Sequence, residues 1–262
     1  MITVLLACHA ILYVISSGAG KTTVYFYSSE TNINNFKSLK IEFDRYLSRF
    51  GPYEFQPFSS REDFERHVKD KDNCLLLLSS WHYRQIHKEY SLTPVLAGHR
   101  KNQKYQKRIL VAGGAPSDIE SIKNGRIASA SNPQHTTSVL TEMLKEKFSG
   151  EHFRILTVPK DIDALLFVGY GKASYALSTG NSLEELRQAN PKLCSKMCVL
   201  AEGEQSLLLI LAVPEGFNQD SKKMVSILQD MSMDVEGKQK IRMLGLDGWQ
   251  KLDPLDEQKL ES

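Results

Sequence analysis

The sequence predicts an α/β protein built from two successive α/β units. Segments typical of buried strands alternate with segments typical of amphipathic helices, which implies parallel strands joined by crossover helices. The alternation starts near residue 22, begins again after residue 114, and ends with two late strands that return the chain towards the first unit. With 262 residues, the chain is long enough for one large domain or two small lobes.

The first unit is expected to contain strands and helices in strict alternation. The run CLLLLSS is continuously apolar, which is typical of a parallel strand buried on both faces. The segment SREDFERHVKDKD begins with a serine cap and has acidic residues in its first turn, which favours a helix. The predicted strands cover residues 22–28, 53–59 and 74–80, and the predicted helices cover 33–51, 60–72 and 81–90. Residues 93–100 lead towards an additional strand over 107–114.

The second unit repeats this pattern and closes with two helices. Residues 118–131 are expected to hold a short helix and a strand, and residues 132–148 a helix with a hydroxyl-rich start. Further strands are predicted over residues 153–159, 172–178, 196–202 and 206–216. Further helices are predicted over residues 161–171, 182–190, 221–231 and 236–245.

Composition argues against several classes of protein and site. The net charge of +2 is lower than a general binder of nucleic acids or membrane surfaces would carry. Three cysteines remain once an N-terminal leader with Cys8 is removed, so Cys74, Cys194 and Cys198 are interpreted as small core side chains rather than a disulfide framework. The histidines lack the close spacing of zinc ligands, and no G-x-S-x-G motif is present. No metal, cofactor or catalytic group is therefore expected.

The first 22 residues are interpreted as a signal peptide. Residues 4–15 form an apolar run of the length of a signal-peptide core, and small residues follow it. Ser17 and Ala19 stand where a signal peptidase requires small side chains, with cleavage before Gly20. Two alternatives stay open: a lipoprotein box with Cys8 as the lipidated residue, and a buried first helix or strand.

The segment SSGAGKTT, residues 16–23, matches half of a nucleotide-binding P-loop. The complete motif has a glycine five positions before Gly20, where this chain has Ile15. A β-branched residue cannot replace glycine at such a turn, and the residues that follow are typical of a strand rather than a helix. A P-loop enzyme is therefore the less favoured alternative.

Six segments, in order, are similar to those of a known family. They are VYFYSSE near the start, LLLLSSWHY (75–83), YQKRILVAGG (105–114), IKNGRIASASNPQHTTSVL (122–140), GKASYAL (171–177) and EGKQKIRMLGLDGWQKLD (236–253). Together the chain resembles the phosphate- and phosphonate-binding branch of the type II periplasmic solute-binding proteins of ABC transporters. The resemblance covers residues 22–255.

This resemblance implies a two-lobed type II periplasmic-binding-protein fold, in which each lobe is a mostly parallel sheet flanked by helices. Lobe 1 is expected to comprise residues 23–106 and 203–262, and lobe 2 residues 107–202. The implied function is non-enzymatic: an exported periplasmic protein captures a small oxyanion between the lobes for an ABC permease or a membrane sensor. The alternative is a diverged periplasmic domain that senses another ligand or binds a protein partner. Two departures motivate it: Ser174 where the family often has aspartate, and the sequence HTTS at 135–138 in place of S-T-S-G.

The candidate ligand-binding residues lie mainly at two helix starts. A helix N-terminus offers unpaired N–H groups and a partial positive charge, which suit an oxyanion, and hydroxyls add further donors. The alternative for each start is an ordinary helix cap, with Asn132 as the cap of the second one. Trp81 or Tyr83 could form a wall of the pocket. The candidates are Tyr27, Ser28, Ser79, Ser80, Tyr83, Tyr105, His135, Thr136, Thr137, Ser138, Tyr170 and Ser174.

Overall fold

The computed structural model describes residues 21–30, 35–69, 71, 73–114, 119–144 and 153–261. The strands are β1 Thr22–Tyr27, β2 Tyr53–Pro57, β3 Cys74–Ser79, β4 Leu92–His99, β5 Tyr105–Gly113, β6 Arg126–Ser129, β7 Arg154–Thr157, β8 Tyr175–Thr179, β9 Met197–Leu207, β10 Leu209–Pro214 and β11 Gly248–Lys251. The helices are α1 Phe36–Leu47, α2 Arg61–Val68, α3 Ser80–Ile86, α4 Pro133–Leu144, α5 Asp161–Gly169, α6 Gly180–Ala189, α7 Pro191–Cys194, α8 Gln219–Asp230, α9 Val235–Met243 and α10 Pro254–Glu261. Short 3₁₀ turns cover Ile119–Lys123 and Met231–Met233.

The strands form two sheets, each the centre of one lobe. The sheet of lobe 1 has the order β11-β4-β10-β3-β1-β2, and the sheet of lobe 2 has the order β7-β6-β8-β5-β9. Both sheets are mixed rather than mostly parallel. In lobe 1 the returning strand β10 lies antiparallel between β3 and β4, and in lobe 2 β5 lies antiparallel between β8 and β9.

Each sheet is covered by apolar packing on both faces. In β3, Leu75 and Leu77 belong to the core on one face of the sheet, and Leu76 and Leu78 belong to the core on the other. This alternation is expected because successive side chains of a strand point to opposite faces. It explains why the segment is apolar at every position.

The chain passes between the two sheets twice, and the two passages lie side by side. The first passage joins β4 to β5, and the second joins β9 to β10. Tyr105 pairs with Leu207, and the Leu208 N–H donates to the Lys104 carbonyl oxygen at 2.9 Å. The lobe boundaries expected from the sequence, 106/107 and 202/203, stay a prediction.

Several elements differ from the sequence-based expectations. The strand β4 is an element of its own, although it contains Pro94, because that residue lies beside a register shift where the regular ladder with β10 is interrupted. The elements β11, α7 and α10 were not expected. The strand β9 continues to Leu207 rather than residue 202, and α3 ends at Ile86 rather than residue 90.

The cysteines and the N-terminal segment can be placed only in part. Cys74 and Cys194 are buried, as expected of core side chains, whereas Cys198 is half-buried. The expected signal peptide and the lipoprotein alternative at Cys8 lie outside the described residues, except for Lys21 and Thr22. Lys21 Nζ lies 2.5 Å from Glu54 Oε1, and Thr22 begins β1, so a strand follows where a P-loop would start a helix. Within the described ranges, no helix is both long enough and apolar enough to cross a membrane.

Alkaline solution is expected to destabilise the protein as the pH rises from 10 to 12. Burial, followed by nearby carboxylates, raises the pKa of Tyr46, Tyr83 and Tyr105 from 10.0 to about 12. Since the folded state favours the neutral phenols, their stabilising contribution is complete below pH 10 and is lost as the pH rises through about 12. Urea unfolding at several pH values measures this loss, and Tyr83→Phe should make the decline shallower. An equally steep decline in that variant would contradict the prediction.

Candidate functional site

A cleft of about 480 Å³ lies between the two lobes. The carboxyl ends of β1, β3 and β6 point towards it, which is where open α/β sheets place their ligands. Residues of both lobes line the cleft. Among them are Glu30, Ser80, Trp81, Arg84 and Lys259 from lobe 1, and Lys107, Arg108, His135 and Glu142 from lobe 2.

A buried arginine joins carboxylates of both lobes at the cleft. The Arg108 side chain is 5% exposed, and its Nη1 donates to Asp161 Oδ1 at 2.7 Å. Its Nη2 lies 3.3 Å from both the carbonyl oxygen and the Oε2 of Glu30. The Gln106 amide donates to the same Oε2. Glu30, which follows β1 of the lobe 1 sheet, is therefore held by two side chains of β5, a strand of the lobe 2 sheet.

His135 lies beside this cluster as a neutral imidazole. Burial, strengthened by the charges of Arg108 and Arg84, holds the pKa of His135 well below its usual 6.5. Its Nε2 is 4.0 Å from Glu30 Oε1, and its ring packs edge-on against Trp81 with 5.2 Å between ring centroids. Burial also raises the pKa of Glu30, and Arg108 acts in the opposite direction.

Three buried polar atoms of this cluster have no hydrogen-bond partner among the described residues. They are Glu30 Oε1, Arg108 Nε and His135 Nδ1. A buried polar atom left unpaired costs about 1–3 kcal/mol, so nearly all such atoms in folded proteins are paired. Three of them in residues that line one cleft indicate a place where a polar ligand supplies the missing partners.

Further hydrogen bonds connect the lobes around the cleft. Trp81 Nε1 donates to Ser138 Oγ at 3.2 Å, and Asn132 Nδ2 donates to the Tyr27 hydroxyl at 2.7 Å. The Asn132 backbone N–H donates to the Ser29 carbonyl oxygen at 2.9 Å. These bonds hold the starts of α3 and α4 close to each other across the cleft.

The comparisons with known proteins agree with this architecture. The sequence model of a family described as "ABC transporter, phosphonate, periplasmic substrate-binding protein" matches residues 29–257. The chain belongs to this family. The family that the sequence resembles is thereby confirmed. A search of curated proteins by sequence finds no significant match.

Solved structures of other proteins share the two-lobed fold. XAC2383 from Xanthomonas citri bound to ATP has 12% identity and a TM-score of 0.66, with 92% of this chain and 94% of that chain covered. A binding protein component of an ABC phosphonate transporter from Pseudomonas aeruginosa has 13% identity and a TM-score of 0.63, with 92% and 85% covered. PhnD1 from Prochlorococcus marinus in complex with methylphosphonate has 14% identity and a TM-score of 0.62, with 92% and 96% covered. The predicted two-lobed α/β fold class is confirmed, with mixed rather than mostly parallel sheets.

In this member of the family, the hydroxyls at the two helix starts bond mainly to the protein itself. The Ser79 hydroxyl accepts from the His82 N–H at 3.3 Å, and the Ser80 hydroxyl donates to the Leu207 carbonyl oxygen at 2.7 Å. Thr136 Oγ1 lies 2.9 Å from Ser129 Oγ, beneath the start of α4. At that start, Asn132 acts as the expected cap, since its Oδ1 accepts from the His135 N–H at 2.8 Å.

The candidate residues therefore lie at different depths around the cleft. Ser80 and His135 line it. Ser138 accepts a hydrogen bond from Trp81, which lines the cleft. Tyr27, Ser79 and Thr136 lie behind the cleft surface, where they bond to Asn132, His82 and Ser129. Ser28 is half-buried after β1, where its hydroxyl accepts from the Glu30 N–H at 3.3 Å, and Thr137 is half-buried on α4.

Four candidates lie away from the cleft. Tyr83 is buried in lobe 1 and donates to the Leu92 carbonyl oxygen at 3.1 Å. Tyr105 lies at the first passage between the lobes, where its hydroxyl bonds to Asp256. Tyr170 follows the carboxyl end of α5 and is 65% exposed. Ser174 precedes β8 and lines a separate groove, because the cleft forms at the opposite, carboxyl ends of the strands.

Sequence reasoning missed the charged residues of the cleft. Glu30 lies three residues beyond the end of β1, and Arg108 lies inside β5 next to a fully buried apolar run. A charged residue within such a strand is a usable signal, since buried charges are kept only where they are paired. Among the residues that the structure describes, no group of three or more metal-binding side chains is present.

Proposed function

We propose that this protein captures a small phosphonate- or phosphate-like oxyanion in the cleft between its lobes and delivers it to an ABC permease. The observation that carries this proposal is the set of three unpaired buried atoms on Glu30, Arg108 and His135. Arg108 Nε–H and an imidazole N–H are donors that suit oxyanion oxygens. Lys107 and Arg84 add positive charge to the lining.

The proposed working motion is closure of the lobes around the ligand. The two neighbouring passages between the sheets supply the hinge, and the bonds of Trp81 to Ser138 and of Tyr27 to Asn132 join the closing surfaces. We further propose export through the leader at residues 1–22 and a periplasmic location, with Cys8 lipidation as the alternative. The proposed role is transport rather than catalysis: the Ser80 hydroxyl donates to a carbonyl oxygen and has no general base as its acceptor.

One observation favours a second candidate, a periplasmic domain that senses another ligand or binds a protein partner. The hydroxyls of Ser79, Ser80 and Thr136 already bond to protein atoms, so fewer donors are left for an anion. This candidate predicts that simple oxyanions do not bind.

Thermal unfolding of the purified protein with methylphosphonate, phosphate, phosphite, sulfate and acetate separates the two candidates. A ligand at about 100 times its Kd adds about 2.7 kcal/mol to stability. For a chain of this size, that raises Tm by roughly 5–11 °C, since 1 kcal/mol corresponds to about 2–4 °C. His135→Ala is expected to remove most of the shift, and Gln134→Ala, an exposed change on the same helix, to retain it. A flat response to the whole panel would reject oxyanion capture and favour the sensing or partner-binding role.

A further inference from the structure

We propose that a groove at the far end of lobe 2 binds an extended, acidic segment of a protein partner. The groove encloses about 1690 Å³ and lies at the end of the lobe 2 sheet that is opposite the cleft. The inference goes beyond oxyanion capture, and it does not depend on whether the cleft binds an anion.

All five strands of the lobe 2 sheet have one end at this groove. The strands β6, β7 and β8 are parallel, and β5 lies antiparallel to both β8 and β9. The groove is therefore lined by the first residues of four strands and the last residue of β5: Arg126, Arg154, Tyr175, Met197 and Gly113. Since the cleft forms at the other ends of the same strands, the length of the sheet separates the two sites.

The groove carries a concentration of unpaired positive charge. Its charged lining residues in the described part of the chain are all basic, namely Arg126, Arg154, Lys172 and Lys196. None of the four forms an ion pair with any described residue. The position of Lys172 has an internal reason, because it follows the carboxyl end of α5, where a cation is favoured. The two arginines stand at strand starts and have no such reason.

The two arginines are direct neighbours in the sheet. Arg126 of β6 and Arg154 of β7 are paired in register, and neighbouring strands lie about 4.8 Å apart. Like charges in this arrangement destabilise a sheet. A carboxylate placed between the two guanidinium groups removes the repulsion and accepts hydrogen bonds from both, since its planar shape matches theirs. The pair therefore indicates an anionic group of a ligand.

Apolar side chains in the same groove favour a peptide over other anions. Leu156, Phe167 and Met197 are half-buried and lie among the cations. A free phosphate has no apolar part to cover them, and the head groups of a flat membrane surface do not follow a concave one. An extended peptide offers carboxylates to the arginines and apolar side chains to the floor, so both kinds of lining residue find a partner.

Fluorescence anisotropy with a fluorescein-labelled peptide of repeated Asp-Leu-Glu-Gly units tests the inference. We expect the unaltered protein to bind this peptide without any oxyanion present, and added salt should weaken the binding. A peptide in which lysine replaces both acidic residues should bind at least about tenfold more weakly, because the charge complementarity is reversed. Tripolyphosphate and vesicles of phosphatidylethanolamine and phosphatidylglycerol are tested alongside.

The decisive variant is Arg126→Gln combined with Arg154→Gln. It should bind the acidic peptide at least about tenfold more weakly, because two charged hydrogen-bond donors are lost. Both arginines are exposed, and their mutual repulsion disappears, so in low salt this variant should unfold at no lower a temperature than the unaltered protein. Lys160→Gln combined with Arg187→Gln is the matched control: it removes the same charge from exposed positions of lobe 2 outside the groove and should retain the affinity.

Each outcome supports or overturns the inference. Equal affinities of the arginine variant and the unaltered protein, or of the acidic and lysine peptides, would overturn it. Binding of tripolyphosphate or vesicles without binding of the acidic peptide would overturn it in favour of a phosphate or membrane site. If the arginine variant does not fold, Lys172→Gln combined with Lys196→Gln decides: a loss of peptide affinity supports the groove, and an unchanged affinity overturns it. Oxyanion capture in the cleft is unaffected by any of these results.

Discussion

Arg108→Met is expected to lower the free energy of unfolding by about 3–5 kcal/mol and to abolish oxyanion binding. The substitution keeps an unbranched side chain but leaves Glu30 and Asp161 without their shared counter-charge. Both carboxylates lie in a cluster where the arginine side chain is 5% exposed, so water cannot replace it easily. Urea unfolding at neutral pH measures the stability, and calorimetric titration with methylphosphonate measures the binding.

The pH dependence of this variant is part of the expected result. Burial raises the pKa of Glu30, so this carboxylate takes up a proton as the pH falls and then no longer needs the positive charge of Arg108. The stability difference between Arg108→Met and the unaltered protein should therefore shrink in acid and be largest at neutral pH and above.

Lys107→Met is the matched control for the stability measurement. Lys107 is the adjacent residue of the same strand and pairs with Glu202 at 2.8 Å, but both side chains are about half exposed. An exposed ion pair contributes less than about 1 kcal/mol, so this change should be small. Adding Glu30→Gln and Asp161→Asn to Arg108→Met should recover much of the lost stability, since neighbouring substitutions in one cluster are not additive. Equal losses in Arg108→Met and Lys107→Met would contradict the assigned role of Arg108.

The order of the elements follows from local patterns in the sequence. The apolar run at 74–80 predicts β3 almost to the residue, and the serine cap at residue 60 predicts the start of α2, although α2 ends at Val68 rather than residue 72. The mixture of parallel and antiparallel strands does not follow from these local patterns, because it depends on pairing between strands that are far apart in the chain. Leu209 of β10 pairs with Ser79 of β3, and neither segment contains a signal for the other. The short strand β11 is likewise defined by its pairing with β4.

The site is predictable to a smaller extent for the same reason. Hydroxyl-rich helix starts can be recognised locally, and they do lie at the cleft. The charges that dominate it come from separate elements: Glu30 and Arg108 are 78 residues apart, and Asp161 lies 53 residues beyond Arg108. Only the fold brings them together, so a sequence pattern shows the donors at the helix starts and not the buried ion cluster beside them.

Asp256→Ala is expected to lower the free energy of unfolding by about 3 kcal/mol. Asp256 has a fully buried side chain on α10 and accepts from Lys104 Nζ, the Tyr105 hydroxyl and the backbone N–H of Asp253. Lys104 and Tyr105 belong to the first passage between the lobes, so the loss falls on the proposed hinge. Since α10 also contributes Lys259 and Leu260 to the cleft, the thermal shift produced by a bound oxyanion should decrease as well.

Two further variants identify which part of this contact matters. Asp256→Asn keeps an acceptor for Tyr105 but removes the charge, so its loss of stability should be intermediate. The difference from Asp256→Ala measures hydrogen bonding together with the packing of the buried side chain. Glu257→Ala removes an exposed carboxylate from the next position of the same helix and should change stability by no more than about 0.5 kcal/mol. Chemical unfolding of the three variants supplies the comparison. If Asp256→Ala is no less stable than Glu257→Ala, then α10 does not hold the passage between the lobes, and the paired strands at Tyr105 and Leu207 remain as the proposed hinge.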